Sequence, residues 1–206
     1  AEIDEIIKAN KDAAIAKVTD VKTTDELKAQ ANELKTLFDS LPTTVTVADK
    51  ETILSAQKAF DTYLELPGTA TTDVINAYKL KNAMKSLMTE EAKAVNAQIK
   101  ALPETITIND ADAIKAARDA YKALEETYGD YDNDSTFNYL GATVQSLVSR
   151  ANALTNAETN LEKAKVEDAA KKIEALTYSS TLAEVKAAQA AYDALKLESK
   201  LYFNDV

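Results

Sequence analysis

The chain has 206 residues and a formal net charge of −10, from 24 basic and 34 acidic side chains. Nucleic acids and anionic lipids attract clusters of Lys and Arg, so this balance argues against both as partners. Cysteine and histidine are absent, which excludes disulfides, zinc sites built on these residues, and catalysis by either. No apolar run approaches about 18 residues, so the sequence predicts no membrane span.

The composition favours helices. Only three Gly and three Pro interrupt a sequence rich in Ala, Lys, Glu and Leu, which are strong helix formers. Thr23 and Glu26 have the spacing of a capping box, which predicts a helix that ends near Ser40, before Pro42. Apolar residues at helical spacing predict further helices over about 2–19, 48–65, 71–101, 110–127 and 135–176, and from Thr181 to about Phe203.

The predicted helix over 135–176 is open to two interpretations. Its apolar stripe shifts phase near its middle, so the two halves of a continuous helix would face different neighbours. Thr155 and Glu158 also have capping-box spacing, and the alternative is a break at that point.

One phrase occurs twice in the chain, at Leu41–Asp49 and at Leu102–Asp110. Pro is expected to end the preceding helix, and the alternating β-branched residues predict an extended connector whose apolar side chains plug the end of a bundle. Thr46 with Asp49, and Thr107 with Asp110, have cap spacing and should start the next helix.

Further repetition indicates an array of similar helical units. Phe60, Tyr121 and Tyr192 occupy equivalent positions and are predicted to pack in the core. Val95–Leu102 likewise matches Ala169–Leu176. We therefore predict an all-α fold of tandem three-helix bundles joined by shared long helices, in an elongated, spectrin-like arrangement. The predicted domains are 1–90, 91–155 and a third, truncated bundle over 156–206.

One loop carries a metal-like pattern. Asp130, Asp132 and Asp134 place carboxylates at alternate positions, as calcium ligands can be, although Ser135 and Gly141 break the EF-hand pattern at its sixth and twelfth positions. The alternative is a solvated loop that caps the next helix. Calcium is the single cofactor that the sequence raises, and otherwise none is expected.

Other polar groups favour structural roles. The carboxylate pairs Glu90–Glu91, Glu125–Glu126 and Glu167–Asp168 are predicted to lie on solvated faces, since adjacent helical residues point in different directions. Tyr128, Tyr131 and Tyr139 surround the predicted loop, where they either pack against it or form a contact patch for a neighbour or glycan. No catalytic residues are predicted.

The repeated motifs resemble a known family. The order LP-x-T-[IV]-T-[IV]-x-D, A-R-x-A-Y-x-A-L and L-x-x-A-E resembles helical repeats in secreted surface proteins of Gram-positive bacteria, which often accompany S-layer homology modules. The similarity covers Leu41–Phe60, Ile99–Leu124, Leu154–Leu161 and Ile173–Phe203. Before Thr23 the LP phrase has no counterpart. The run from Ala191 to Leu201 resembles one that leads into another long helix, which implies a piece of a longer protein.

This resemblance implies a spacer, scaffold or lattice role, not catalysis. The leading hypothesis is a non-enzymatic structural part of an S-layer or wall-attached protein, located at the cell surface, with neighbouring copies or other domains of the same protein as partners. The alternative is an adhesin that recognises a wall polysaccharide or a host protein through exposed helix faces. An intracellular scaffold is a third hypothesis.

Overall fold

A computed structural model gives the fold and describes residues 5–8, 22–132, 141–200 and 203. Every regular element in these residues is a helix, which confirms the all-α prediction. The chain divides into two compact units, Ala1–Glu90 and Glu91–Val206. The finer division at 91–155 and 156–206 stays a prediction.

The helices follow the predicted order. Residues 5–8 are helical, and the rest of the helix predicted over 2–19 lies outside the described residues. The first labelled helices are α1 (Thr24–Asp39), α2 (Lys50–Leu64) and α3 (Ala77–Lys100), and the boundary between the units falls within α3. The second unit continues with α4 (Ala111–Asp132), α5 (Val144–Leu147), α6 (Ala151–Glu174), α7 (Leu182–Asp193) and α8 (Leu197–Lys200).

Helix α1 begins at the predicted capping box. The Thr23 amide donates to Glu26 Oε2 at 2.7 Å, and the Glu26 amide donates to Thr23 Oγ1 at 3.3 Å. These bonds satisfy amides that have no partner within the helix. The backbone hydrogen bond from Thr23 lowers the pKa of the Glu26 carboxyl, since it favours the ionised form.

The core of the first unit is built from α1, α2 and the part of α3 that precedes the unit boundary. The Phe38 and Phe60 rings meet edge to face, with centroids 5.4 Å apart, which is a preferred aromatic geometry. Apolar spacing in the helix predicted over 71–101 places Tyr78 on the same stripe as Met84, Leu87 and Met88; these three are buried, whereas Tyr78 is exposed and that assignment was wrong.

The core of the second unit centres on α4, which packs against α5 and α6. The buried residues of α4 recur at helical spacing and form one stripe: Ile114, Ala117, Tyr121, Leu124 and Tyr128. Helix α6 presents Leu154, Ala157 and Leu161 as buried residues, and Ala169 is its buried residue nearer the C-terminus. Since α6 also packs against α7, a single helix serves two neighbours.

Two helix boundaries differ from the prediction. Helix α3 begins at Ala77, not near 71, because Val74 is extended and Asn76 has a φ of 70°, in the left-handed region that interrupts a helix. Helix α4 continues to Asp132, although the sequence predicted that it would end near 127 and be followed by a polar loop, so the predicted start of that loop was wrong. Burial of Tyr128 extends the apolar stripe by another turn.

The predicted helix over 135–176 is not continuous in the described residues. A break separates α5 from α6 at 148–150, and the alternative break at Thr155 was also misplaced, since Thr155 lies inside α6. The cause is Asn96 of α3. Its Nδ2 donates to the Leu147 carbonyl at 2.9 Å, and its Oδ1 accepts from the Arg150 amide at 3.2 Å. One side-chain amide therefore satisfies the backbone on both sides of the break.

The last predicted helix is also interrupted. Helix α7 ends at Asp193, and α8 begins at Leu197. The Lys200 ammonium donates to the Asp193 carbonyl at 3.1 Å, which satisfies a carbonyl at the end of α7. Leu195, in the connection, is buried.

Candidate functional site

The repeated phrase forms a corner between two helices, with the same polar geometry in both copies. The Thr46 amide and hydroxyl donate to Asp49 Oδ2 at 2.8 and 2.9 Å, and Thr107 donates to Asp110 Oδ2 at 2.8 and 2.8 Å. The backbone dihedrals also agree, with φ −125° and ψ 169° at Thr46 and φ −122° and ψ 172° at Thr107. The predicted cap role of both pairs is confirmed.

A third corner precedes α7. The Thr181 amide and hydroxyl donate to Glu184 Oε2 at 2.7 and 2.9 Å, and the backbone bond lowers the pKa of the Glu184 carboxyl. Thr177 stands where the first two copies have Pro, yet α6 still ends at Glu174. The capping pair is therefore the part of the corner that all three copies share.

The plug predicted for these connectors was wrong. Val47 and Ile108 are exposed, and Val45 and Ile106 are half-buried. Val47 and Ile108 each follow the capping Thr and begin a short 3₁₀ turn, and the side chain at this position is exposed in both copies.

The first unit has a polar node at the end of α1. Asp39 accepts from the Lys35 ammonium at 2.8 Å, the Lys79 ammonium at 2.6 Å and Asn76 Nδ2 at 2.7 Å. The hydrogen bonds from Lys35, Lys79 and Asn76 hold the pKa of Asp39 well below its usual range. This node joins α1 to the start of α3 and to the strained residue Asn76.

In the second unit a buried tyrosine joins α4 to α3. The Tyr128 hydroxyl donates to Glu91 Oε2 at 2.6 Å. Burial is the main cause that raises the pKa of Tyr128, and the hydrogen bond to Glu91 raises it further. Glu90 and Glu91 are both half-buried, so the prediction that this pair lies on a solvated face was wrong. Glu125 and Glu126 are exposed, as predicted. Tyr128 packs in the core, and Tyr139 lies outside the described residues.

An ion pair joins α4 to α6. Arg118 Nε and Nη2 donate to the two carboxylate oxygens of Glu158 at 2.7 and 2.6 Å, and the guanidinium lies 5.5 Å from the Tyr121 ring centroid. The hydrogen bonds to Glu158 raise the pKa of Arg118. Two parallel bonds also fix the relative orientation of the helices. Sequence analysis identified Arg118 only as part of a motif, because its partner is distant in sequence.

In the other two copies of the repeat, a Gln stands at the position of Arg118 and bonds within its own helix. Gln57 donates to Asp61 at 2.7 Å, and Gln189 donates to Asp193 at 3.0 Å, in both cases one turn along the same helix. Arg118 instead reaches another helix beside a cavity of about 500 Å³. That cavity is lined by charges of both signs: Lys115, Arg118, Lys122, Lys165 and Lys196 with Asp112, Asp119, Glu158 and Glu162.

The predicted calcium ligands are only partly described. Asp130 and Asp132 belong to the last turn of α4, and Asp134 lies outside the described residues. Across 5–8, 22–132, 141–200 and 203, no group of three or more carboxylates is placed to hold a metal ion. Calcium binding by this set stays a prediction.

The helix before each corner carries an equivalent apolar residue, three positions before the repeated leucine. Phe38 and Ile99 are 0% and 4% exposed, whereas the third copy's Ile173 is 37% exposed. Its burial in two copies marks this as a core position. In the third copy this position, Ile173, is not fully buried by neighbouring side chains.

The helix after each corner shows the same difference. Seven residues before the repeated aromatic, Ile53 and Ile114 are 0% and 2% exposed, but Val185 is 44% exposed. Tyr192, the third aromatic, is itself half-buried, and its ring lies 5.5 Å from that of Phe203. The prediction that Tyr192 packs in the core is therefore only partly confirmed. Ile173 and Val185 are thus exposed in the third copy at positions that the other two copies bury.

No protein-family model, curated protein or solved structure matches the chain. The resemblance to Gram-positive surface repeats is therefore carried by the sequence motifs alone. Within the described part of the chain, no helix combines the length and the apolar character that a membrane crossing requires.

Proposed function

We propose that this chain is a non-enzymatic structural part of a bacterial cell-surface protein, a rigid helical spacer or a lattice-forming element of an S-layer. The observation that carries the proposal is the corner that recurs at Thr46, Thr107 and Thr181, where the amide of each Thr donates to a carboxylate three residues further on. Repeated corners let similar helical units follow one another without a flexible linker, which is what a spacer requires.

The finer architecture of the proposal is a series of three-helix bundles that share long helices. Two local observations support it. The part of α3 in the first unit pairs with α1 through Lys79 and Asp39, and its part in the second unit contacts α4 through Glu91 and Tyr128. Helix α6 in turn packs against both α4 and α7.

Surface location is tested with antibodies raised against residues 1–206 and applied to intact cells of the bacterium that encodes the chain. Labelling of intact cells, lost after protease treatment of the surface, is expected. Labelling only after lysis would contradict the proposal and favour the intracellular scaffold.

The spacer role is tested by small-angle X-ray scattering of residues 1–206. An extended pair-distance distribution is expected, and a compact, symmetric one would contradict shared helices. Pull-down on purified wall polysaccharide separates the alternative: saturable binding by this chain alone would favour an adhesin over a spacer.

A further inference from the structure

We infer that the cavity between α4 and α6 binds the phosphate monoester of a polyol or sugar, with the phosphate held by Lys122 and Lys196 and a ligand hydroxyl donating to Glu162. The cavity measures about 500 Å³, which is within the size range of small-molecule sites. All three residues line it, and all belong to the second unit. The site goes beyond the proposed structural role and does not depend on it.

The second copy of the repeat carries two cations where the other copies carry none. Arg118 and Lys122 stand one turn apart on α4. In the first and third copies this pair is a Gln that donates to an Asp one turn along the same helix: Gln57 to Asp61 and Gln189 to Asp193. A neutral and an acidic side chain therefore serve the helix at these positions, so the repeat itself does not require cations there.

Two of the five cations that line the cavity have no carboxylate of their own. The other three are held in ion pairs: Lys115 with Asp119, Arg118 with Glu158 and Lys165 with Glu162. Within residues 22–132 and 141–200, Lys122 and Lys196 form no ion pair. The remaining lining carboxylate, Asp112, lies in the first turn of α4, where the helix amides favour negative charge. A phosphate monoester carries about −1.5 to −2 charges at pH 7, which matches two ammonium groups better than a single carboxylate does.

Glu162 supplies an acceptor for a hydroxyl group. Its Oε1 accepts from the Lys165 ammonium at 2.8 Å, whereas its Oε2 is buried and accepts no hydrogen bond from the described residues. A buried acceptor is unfavourable until a donor reaches it. Since Lys165 already balances the charge of this carboxylate, a neutral hydroxyl suits Oε2 better than a second cation does.

A second cavity, of about 570 Å³, extends the site along α6. It shares Glu158, Glu162 and Lys196 with the first cavity. Its lining holds four carboxylates and two lysines, so it disfavours phosphate and offers acceptors to hydroxyl groups. The phosphate therefore belongs in the first cavity, beside Lys122, and the polyol extends past Glu162 into the second.

Binding is expected to be weak. Lys122 and Lys196 are exposed, and the net charge of −10 opposes the approach of an anion. At physiological salt that opposition is screened beyond about 8 Å, so the cations of the site decide the outcome. We expect a Kd on the order of 0.1–5 mM for glucose 6-phosphate.

Backbone amide chemical shifts of residues 1–206, followed by NMR during titration with glucose 6-phosphate, test the site. Saturable shifts are expected in α4 and α6, with none from glucose, and inorganic phosphate should bind at least about threefold more weakly because it lacks the polyol. Lys122→Asp, which installs the residue of the other two copies, and Lys196→Gln should each raise Kd at least about fivefold. Lys58→Asp, at an exposed lysine of α2 in the first unit, is the matched control and should leave Kd unchanged.

Shifts that do not saturate by about 20 mM would overturn the inference, as would equal increases of Kd in Lys122→Asp and Lys58→Asp. Inorganic phosphate that binds as tightly as glucose 6-phosphate would overturn it too, because Glu162 would then have no part in binding. The amide spectrum of each variant shows whether it keeps its fold. Labelling of intact cells reports separately on the proposed function, so failure of either test leaves the other standing.

Discussion

Tyr128 is the buried polar side chain with the clearest partner. The side chain is fully buried, and its hydroxyl donates a hydrogen bond to Glu91. Tyr128→Phe keeps the ring and removes this donor from a half-buried carboxylate, so we expect a loss of about 1–3 kcal/mol in the free energy of unfolding. Urea denaturation measures the loss. Tyr78→Phe, at an exposed tyrosine, should change it by less than about 0.5 kcal/mol.

Asp39 should make stability depend on acid pH. Its pKa is lowered from the ordinary value of 3.8 by hydrogen bonds from Lys35, Lys79 and Asn76, so the folded state favours the ionised form. The resulting stabilisation is present above the unfolded pKa and is lost as pH falls through the lower folded pKa.

Asp39→Asn should therefore lower the urea midpoint at pH 7 and flatten its fall below about pH 4. The exposed carboxylate of Glu104 provides the control, since Glu104→Gln should leave the profile unchanged. A wild-type slope that persists in the Asp39 variant would show that other carboxylates govern the acid response.

At the residue scale, local chemistry could be predicted from the sequence and distant partners could not. Thr46 and Asp49 are three residues apart, so their spacing alone predicts the cap. Arg118 and Glu158 meet because α4 packs against α6, and no local spacing encodes that pairing. The same holds for Tyr128 and Glu91, which lie on different helices.

At the scale of the element, each corner is held by the capping pair that begins its second helix. Thr107→Ala removes the hydroxyl that donates to Asp110 and caps the Asn109 amide, so we expect a loss of about 1 kcal/mol. Thr105→Ala, in the preceding connector, is the matched control because Thr105 is exposed. Urea denaturation followed by circular dichroism compares the two variants, and equal losses of stability would contradict the capping role.

Helix existence could be predicted and helix interruptions could not. Pro42 and Pro103 mark helix ends directly. The break at 148–150 has neither Pro nor Gly, and it depends on Asn96 of a different helix. Asn76 illustrates an intermediate case, because Asn tolerates the left-handed region but does not require it.

At the scale of the whole molecule, composition was sufficient for the fold class. Few Gly and Pro residues and many strong helix formers predict an all-α chain, and the described residues confirm it. The repeat also predicted the core positions Phe60 and Tyr121. The sequence predicted a truncated third bundle but not that Ile173 and Val185 are exposed, since exposure depends on which neighbours a helix finds and not on its own stripe.

The central claim is that three equivalent copies build the chain and that the third leaves Ile173 and Val185 exposed. The most direct measurement compares Ile114→Ala with Val185→Ala, at equivalent positions in the second unit, by urea unfolding. Ile114→Ala should cost about 2–5 kcal/mol because it leaves a cavity in a packed core. Val185→Ala should cost less than about 1 kcal/mol. Equal costs would contradict the account, because they would show that Val185 is as well covered as Ile114.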